Sequence, residues 1–274
     1  MDLRRAKYIL PNLFTLSSIY CGIFSIHLST TAQSVAEVAL AAWLLVVAMV
    51  CDAFDGRVAR LTKTESEFGM QLDSLADAIS FGVAPAFLLY AWGLSEMGTL
   101  GLFFAFVYAS CAVMRLARFN VLANANHGVM KYFLGLPTPL AAGTIVSVVL
   151  AHVALTDRMT TGAELSVAAM AVLLGGLMVS NVRYRTFKDV KFRGRAFVAL
   201  IGLVAASFVV SIAVKPSVTF VLLMVAYIVL GLGGGILNLG KHVLGHGQEP
   251  DFLDDEEPAF RVELEDQESD REGY

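Results

Sequence analysis

Long apolar runs alternate with short polar segments over most of the chain. A helix needs about 20 mostly apolar residues to cross the hydrocarbon core of a bilayer. Eight segments meet that requirement, at about 10–29, 35–60, 68–92, 98–121, 138–155, 163–184, 196–214 and 217–240. Since lipid offers no partner to an unpaired backbone group, these segments must be helical. The pattern predicts an all-α, polytopic integral membrane bundle with about eight transmembrane helices.

Lysine and arginine are distributed unevenly among the segments between these spans. Residues 1–248 hold 18 of them, and 16 fall in segments that share one side of the membrane with the N-terminus. Only Arg158 and Lys215 fall on the other side. Cytoplasmic loops of membrane proteins carry such an excess of positive charge. We therefore predict N-in/C-in topology and a multi-pass protein of the cell (inner) membrane, with the aspartate-bearing helix ends described below facing the cytoplasm.

Composition supports a membrane protein and separates its C-terminus from the rest. The 274 residues are 57% hydrophobic and 16% charged, whereas about 25% are charged in a soluble domain, so a water-soluble enzyme is excluded. Residues 249–274 hold twelve acidic residues and two arginines, which leaves residues 1–248 with a net charge of +6. Because the positive residues lie between apolar spans, we expect no nucleic-acid partner. The sequence predicts a membrane domain at 1–248 and an acidic, disordered cytoplasmic tail at 249–274.

Four aspartates lie where the second and third predicted spans approach each other. Asp52 and Asp55 are three residues apart near the end of the second span, and Asp73 and Asp77 are four apart in the third. Each spacing places its pair on one face of a helix. Because the link between the spans is short, the two helices should be antiparallel neighbours. The sequence therefore predicts that four carboxylates face one another at one end of the bundle.

Carboxylates gathered in this way repel one another unless a cation compensates their charge. Oxygen-only ligands suit hard ions such as Mg²⁺, Mn²⁺ or Ca²⁺, and four carboxylates can hold two ions for phosphoryl chemistry. Gly56 leaves room for a substrate beside the helix, and Arg60 offers a planar charge fitted to a phosphate. Two other interpretations stay open, namely solvated helix ends and the transport site of a cation transporter.

The aspartates belong to a longer motif that resembles the signature of the CDP-alcohol phosphatidyltransferases. All of its positions match: Asp52-x2-Asp55-Gly56-x2-Ala59-Arg60-x8-Gly69-x3-Asp73-x3-Asp77. The resemblance implies an integral membrane enzyme that displaces CMP from a CDP-linked lipid with an alcohol.

The same resemblance implies a role for individual positions of this sequence. The four aspartates of the motif would bind divalent metal, Mg²⁺ or Mn²⁺ and two ions in all, and Asp77 would also be the base that deprotonates the acceptor hydroxyl. Gly56, Arg60 and Ser66 would contact the CDP-lipid. The residues themselves indicate metal and phosphate but do not single out Asp77 as the base.

Further segments resemble bacterial membrane-type phosphatidylserine synthases and extend the likeness over most of residues 8–145. They are Pro11-Asn12-Leu-Phe-Thr15 with Cys21-Gly22, Arg115-Leu-Ala-Arg118-Phe-Asn120, and Gly135-Leu-Pro137-Thr-Pro139 with Ala141-Ala142. This likeness implies CDP-diacylglycerol and L-serine as substrates, and phosphatidylserine and CMP as products. We also expect contact with membrane lipids and a homodimer.

The residues leave the acceptor open. Arg115 and Arg118 would suit the carboxylate of serine, with Asn120 beside them. The same arginines would serve glycerol 3-phosphate or inositol phosphate about equally well, or would simply anchor the loop on the cytoplasmic side. Asn12 and Thr15 either contact the CDP-lipid or cap the start of the first span.

Overall fold

Helices dominate the computed structural model, which describes residues 3–62, 64, 66–125, 132–181 and 183–185. The order of the longer helices is α1 (Leu3–Thr31), α2 (Val35–Thr62), α3 (Glu67–Asp77), α4 (Ala84–Leu89), α5 (Thr99–Ala125), α6 (Thr138–Thr156) and α7 (Glu164–Val179). All described residues belong to one compact unit. The predicted domain boundary near 248 lies outside the described residues, so the division into membrane domain and tail stays a prediction.

Five stretches of the described residues are long and apolar enough to cross a membrane. They are Asn12–Thr31, Val35–Thr62, Glu67–Met97, Thr99–Leu122 and Thr138–Thr156, and they confirm the first five predicted spans within a few residues. Large apolar side chains face outward from them, including Tyr20, which is 67% exposed, and Phe106, which is 62% exposed. Such a surface is expected where lipid is the solvent, and the chain is a membrane-embedded helical bundle.

The end predicted for the sixth span is wrong. Helix α7 stops at Val179 after 16 residues, about 24 Å of helix, rather than continuing to residue 184. Beyond it, Arg183–Arg185 forms a short strand, β2, that pairs antiparallel with β1, Tyr132–Leu134. The backbone groups of residues 183–185 thus find partners in a strand instead of a helix. The seventh and eighth predicted spans lie outside the described residues.

The pairing of β1 with β2 brings two connections to the same end of the bundle. One links α5 to α6, and the other follows α7, as the predicted topology requires. Gly135 (φ +77°) makes the approach possible, because a Cβ there would lie 2.1 Å from the carbonyl oxygen of Met178. Next to it, the Leu136 amide donates to the carbonyl of Leu177 at 3.0 Å.

The third span departs from regular α-helix immediately after Asp77. A π-helical segment covers Ala78–Val83, α4 follows, and a second π-helical segment covers Tyr90–Leu94, before a 3₁₀ turn at Ser95–Met97. Pro85 explains part of this, because a proline has no N–H to offer the carbonyl four residues earlier and its ring clashes with it. That carbonyl belongs to Phe81, and the buried Tyr108 hydroxyl on α5 donates to it at 3.1 Å.

Small and polar residues of α1 pack against the π-helical segment Ala78–Val83 of the third span. Ser18 and Ser80 are both buried, and their hydroxyl oxygens lie 3.1 Å apart, while Ser80 also donates to the Ser18 carbonyl at 3.0 Å. A Cβ on Gly22 would lie 3.1 Å from the Cα of Ser80. The close approach holds α1 beside the helix that carries Asp73 and Asp77.

Candidate active site

The predicted carboxylate cluster forms where α2 ends and α3 begins. Asp52, Asp55 and Asp73 each place a carboxylate oxygen within 4.8 Å of the others. Asp77 lies one turn beyond Asp73, and its carboxyl group is close enough to Asp52 and Asp73 to interact with both. Its Oδ1 atom is buried and has no hydrogen-bond partner among the described residues. The structure therefore gathers all four aspartates of the motif at one end of the bundle.

Thr15 of α1 reaches this cluster directly. Its hydroxyl donates a hydrogen bond of 2.8 Å to Oδ2 of Asp55. Thr15 is only 4% exposed and Asp55 only 5% exposed, so the bond is shielded from solvent. The structure thus places Thr15 against a carboxylate rather than on the outer surface of the first span.

Asn12, Ser66 and Gly69 meet at the start of α3. Ser66 is the N-cap of this helix, and its Oγ accepts a 3.0 Å hydrogen bond from the Gly69 amide. A Cβ on Gly69 would lie 3.2 Å from that Oγ and 3.9 Å from Oδ1 of Asn12. Ser66 is exposed, and since its hydroxyl only accepts in the cap, its hydrogen remains available to a ligand.

Gly56 and Arg60 lie on the open side of the cluster. Both are exposed, and a Cβ on Gly56 would meet nothing within 4 Å among the described atoms. Arg60 folds back along α2, where its Nε donates to the Gly56 carbonyl at 3.0 Å. Its guanidinium therefore lies beside a stretch of backbone that a substrate can approach.

The two arginines that the sequence treats as a pair have different surroundings. Arg115 is 8% exposed, its Nη1 donates to Oγ1 of Thr138 at 2.8 Å, and its charge acts on Asp77. Arg118 is partly exposed and donates to the Val179 carbonyl at 3.3 Å and to Oδ1 of Asn181 at 2.8 Å. Arg115 therefore acts on the carboxylate cluster through its charge, and Arg118 supports the C-terminal end of α7.

Asn120 joins α5 to α3. Its Nδ2 donates to Oγ of Ser74 at 2.9 Å, next to Asp73 in the chain. Sequence reasoning missed Ser74 and Thr138 as partners in the site. The available signal was that each is a polar residue near the end of a span, on the same side as the aspartates.

The donor atoms fit a divalent cation. Every candidate ligand in the cluster is a carboxylate oxygen, the donor type that hard divalent ions take. The buried Oδ1 of Asp77 lacks a protein partner among the described residues, and an unpaired buried carboxylate oxygen is costly unless something binds it. The cluster can therefore hold a divalent metal ion.

The apolar helices and the carboxylate cluster at one end of them define a polytopic membrane protein with a candidate site for a metal ion and phosphate groups. A family model described as CDP-alcohol phosphatidyltransferase matches residues 8–182. The chain belongs to the CDP-alcohol phosphatidyltransferase family, and it is a membrane-embedded transferase of phospholipid biosynthesis.

Similar proteins share one description, CDP-diacylglycerol–serine O-phosphatidyltransferase. One from Helicobacter pylori (strain ATCC 700392 / 26695) is 37% identical over 228 residues, which cover 82% of this chain and 90% of the relative. One from Mycobacterium leprae (strain TN) is 34% identical over 212 residues, 74% of this chain and 68% of the relative. One from Methanocaldococcus jannaschii is 33% identical over 175 residues, 64% of this chain and 73% of the relative.

Proposed function

We propose that the protein transfers the phosphatidyl group of CDP-diacylglycerol to L-serine, giving phosphatidylserine and CMP. The descriptions of the similar proteins support this pair of substrates. The observation that carries the proposal is the carboxylate cluster together with the buried Arg115, whose charge acts on Asp77. It combines a site for a pyrophosphate and its metal with a cation for the acceptor's carboxylate.

Asp52, Asp55, Asp73 and Asp77 would hold two divalent ions, Mg²⁺ or Mn²⁺. Bound there, the ions would offset the charge of the pyrophosphate and of the departing CMP. Three of these side chains already present oxygens within 4.8 Å of one another. The oxygens come together because the end of α2 lies beside α3, so the ligands come from two helices, and α1 packs against both.

Asp77 would act as the general base. Its carboxylate takes the proton of the serine hydroxyl, and the hydroxyl oxygen forms a bond to the phosphorus that carries the diacylglycerol. The bond from that phosphorus to the oxygen bridging to CMP breaks, and CMP leaves with the electron pair. The buried Oδ1 of Asp77 has no competing partner among the described residues, as a proton acceptor requires.

The CDP-lipid would lie over the open side of the cluster. The exposed backbone at Gly56 would let the diphosphate approach α2, and Arg60 and the Ser66 hydroxyl would donate to its oxygens. Asn12, which lies next to Ser66 and Gly69, would complete this surface.

Arg115 would bind the carboxylate of serine. It is buried, it donates to Thr138, and its charge acts on Asp77, so an acceptor bound to it would have its hydroxyl within reach of the base. Arg118 and Asn120, which the sequence also assigned to the acceptor, have partners on α7 and α3. Their part in binding the acceptor would be to shape the pocket around Arg115.

The enzyme would work as a homodimer in the cell (inner) membrane with its site facing the cytoplasm. Arg57, Arg60, Arg115 and Arg118 lie at the same end of the bundle as the aspartates. The excess of positive charge supports a cytoplasmic position for that end, where CTP-derived substrates and serine would be available.

A parallel acceptor assay tests the proposal. Purified protein in detergent receives CDP-diacylglycerol and Mn²⁺ or Mg²⁺ with serine, glycerol 3-phosphate or inositol phosphate, and CMP release is measured. Of the three acceptors, we expect only serine to give CMP, together with phosphatidylserine. If CMP is released with glycerol 3-phosphate or inositol phosphate and not with serine, that compound is the acceptor and the chemistry is otherwise the same. Absence of CMP with every acceptor, combined with cation flux in vesicles, would favour the transporter.

A further inference from the structure

The hydrogen bond from Thr15 to Asp55 joins two residues that are 40 positions apart in the chain. It runs from α1 to α2 at the level of the carboxylate cluster, and both side chains are almost completely buried. A hydroxyl donor fixes one oxygen of a carboxylate and thereby the direction in which its remaining lone pairs point. Partners of this kind orient metal ligands and tune their affinity for the ion.

This geometry leaves Thr15 little opportunity to touch a lipid. Its hydroxyl hydrogen is directed at Oδ2 of Asp55, and the side chain is 4% exposed. Neighbouring Asn12 and Ser66 are more accessible and lie on the side where the CDP-lipid would bind.

We propose that Thr15 is a positioning residue for the metal centre, acting through Asp55, and is not a contact of the CDP-lipid. The proposal rests on the metal site of the proposed function. Loss of the hydroxyl would free the Asp55 carboxylate to rotate, so the free protein would bind a divalent ion less tightly before any substrate is present.

Direct metal binding separates the two roles. Mn²⁺ binding to the purified, full-length protein in detergent is measured by electron paramagnetic resonance, without substrate, for wild type, Thr15→Val and Thr15→Ser. Thr15→Val keeps the shape of the side chain and removes the donor. We expect it to weaken Mn²⁺ binding about tenfold or more, the effect typical of a lost outer-shell partner. Thr15→Ser retains the donor and should restore most of the affinity.

Ser25→Ala is the matched control. Ser25 is also buried in α1 and also donates to α2 at 2.8 Å, but its acceptor is the Ala41 carbonyl, 14 residues or about 21 Å of helix away from Asp55. Its removal loosens the same helix pair without touching a carboxylate. We expect unchanged Mn²⁺ affinity, so a loss confined to Thr15→Val cannot come from weakened helix packing.

A second comparison uses the Asp55→Asn background, in which Thr15→Val should cause no further loss of Mn²⁺ affinity because the carboxylate it acts on is already altered.

If Thr15→Val does not yield a monodisperse protein, Thr15→Ala gives the same measurement with a smaller side chain. If Thr15→Val, or Thr15→Ala in its place, binds Mn²⁺ as tightly as wild type but has a raised KM for CDP-diacylglycerol at saturating Mn²⁺, the inference is overturned and Thr15 returns to the lipid site. Absence of Mn²⁺ binding in the wild type would instead contradict the proposed metal centre itself.

Discussion

Single side chains in the site differ in how completely their polar atoms are paired. Asp55 has Thr15, Arg115 has Thr138, and Asn120 has Ser74. Asp77 keeps a buried oxygen that no described residue satisfies. Buried polar atoms are nearly always paired, so an orphaned one marks a position where function outweighs stability.

Asp77→Asn should therefore abolish turnover while retaining the fold and much of the metal binding. The amide cannot accept the proton of the serine hydroxyl, and a general base contributes about 10²–10⁴ in rate. CMP release and Mn²⁺ binding by the purified variant check this. Asp52→Asn and Asp73→Asn serve as comparison, since each removes a charged ligand and should weaken metal affinity as well. Near-normal turnover of Asp77→Asn would contradict the base assignment.

Arg115 and Arg118 should respond differently to the same substitution. Arg115→Gln removes the charge that acts on Asp77, and a lost charge-assisted hydrogen bond to the acceptor of about 1.5–3 kcal/mol should raise the KM for serine at least tenfold. The KM for CDP-diacylglycerol should change little. Steady-state kinetics with each substrate varied in turn measure both constants.

Arg118→Gln is the control at the neighbouring arginine. Its partners lie at the C-terminal end of α7, where a cation contributes about 0.3–1 kcal/mol to stability. We expect a slightly lower melting temperature and a serine KM within about twofold of wild type. If Arg118→Gln raises that KM as much as Arg115→Gln does, the two arginines share the acceptor, as the sequence alone suggests.

At the scale of elements, the irregular third span determines how α3 meets α5. Pro85 disturbs the helix between the two π-helical segments, and Tyr108 of α5 satisfies the carbonyl of Phe81. Such π-helical segments are frequent at functional sites. Here the first begins at the residue after Asp77, so the change in helix geometry falls directly beside the base that we propose.

Tyr108→Phe should destabilise the bundle without altering the cluster directly. It leaves the buried Phe81 carbonyl without its donor, which costs about 1–3 kcal/mol, and we expect a melting temperature several degrees lower in detergent. Tyr20→Phe is the matched control, because Tyr20 is 67% exposed and its hydroxyl is dispensable. Equal melting temperatures of the two variants would show that the Phe81 carbonyl finds another partner.

At the scale of the whole molecule, the cluster, the positive charges and the β1–β2 pairing share one end of the bundle. The opposite end carries the α2 start, the turn before α5 and the loop between α6 and α7. An enzyme that uses soluble serine, as we propose, needs one end open to water, and the charge distribution predicts which end that is.

Labelling in intact cells should give opposite accessibility at the two ends. In a background in which Cys21, Cys51 and Cys111 are replaced, Lys63→Cys should resist a membrane-impermeant thiol reagent, and Arg158→Cys should react with it. Disruption of the cells should expose Lys63→Cys. Equal reaction of both positions in intact cells would show that the predicted number or orientation of spans is wrong.

The acidic tail gives a prediction that depends on sequence alone, since it lies outside the described residues. Twelve acidic residues with little to bury cannot offset the entropy of ordering. A chain that stops after Gly247 should keep its activity within about threefold of wild type, or less than ~1 kcal/mol. A rate change that fades as salt rises would show that the tail acts by repulsion from anionic lipid. A large loss insensitive to salt would mean that it docks on the catalytic domain.

The sequence by itself determined the membrane class, the first five spans and the grouping of four aspartates. These follow from hydropathy and from spacings of three and four residues, which are local properties of a helix. The further residues of the motif indicated the chemistry through their resemblance to the signature of the CDP-alcohol phosphatidyltransferases, all of whose positions they match.

Only the tertiary structure decided which partner each polar residue has. Thr15 could equally have capped α1. Arg115 and Arg118 are three residues apart on one helix, yet Arg115 is buried and bonded to Thr138, while Arg118 is partly exposed and bonded to the end of α7. The end of α7 also differs from the predicted end of the sixth span, because residues 183–185 pair with a strand some 50 positions earlier. Such contacts depend on how helices rotate and pack against one another, which the local periodicity of a sequence does not encode.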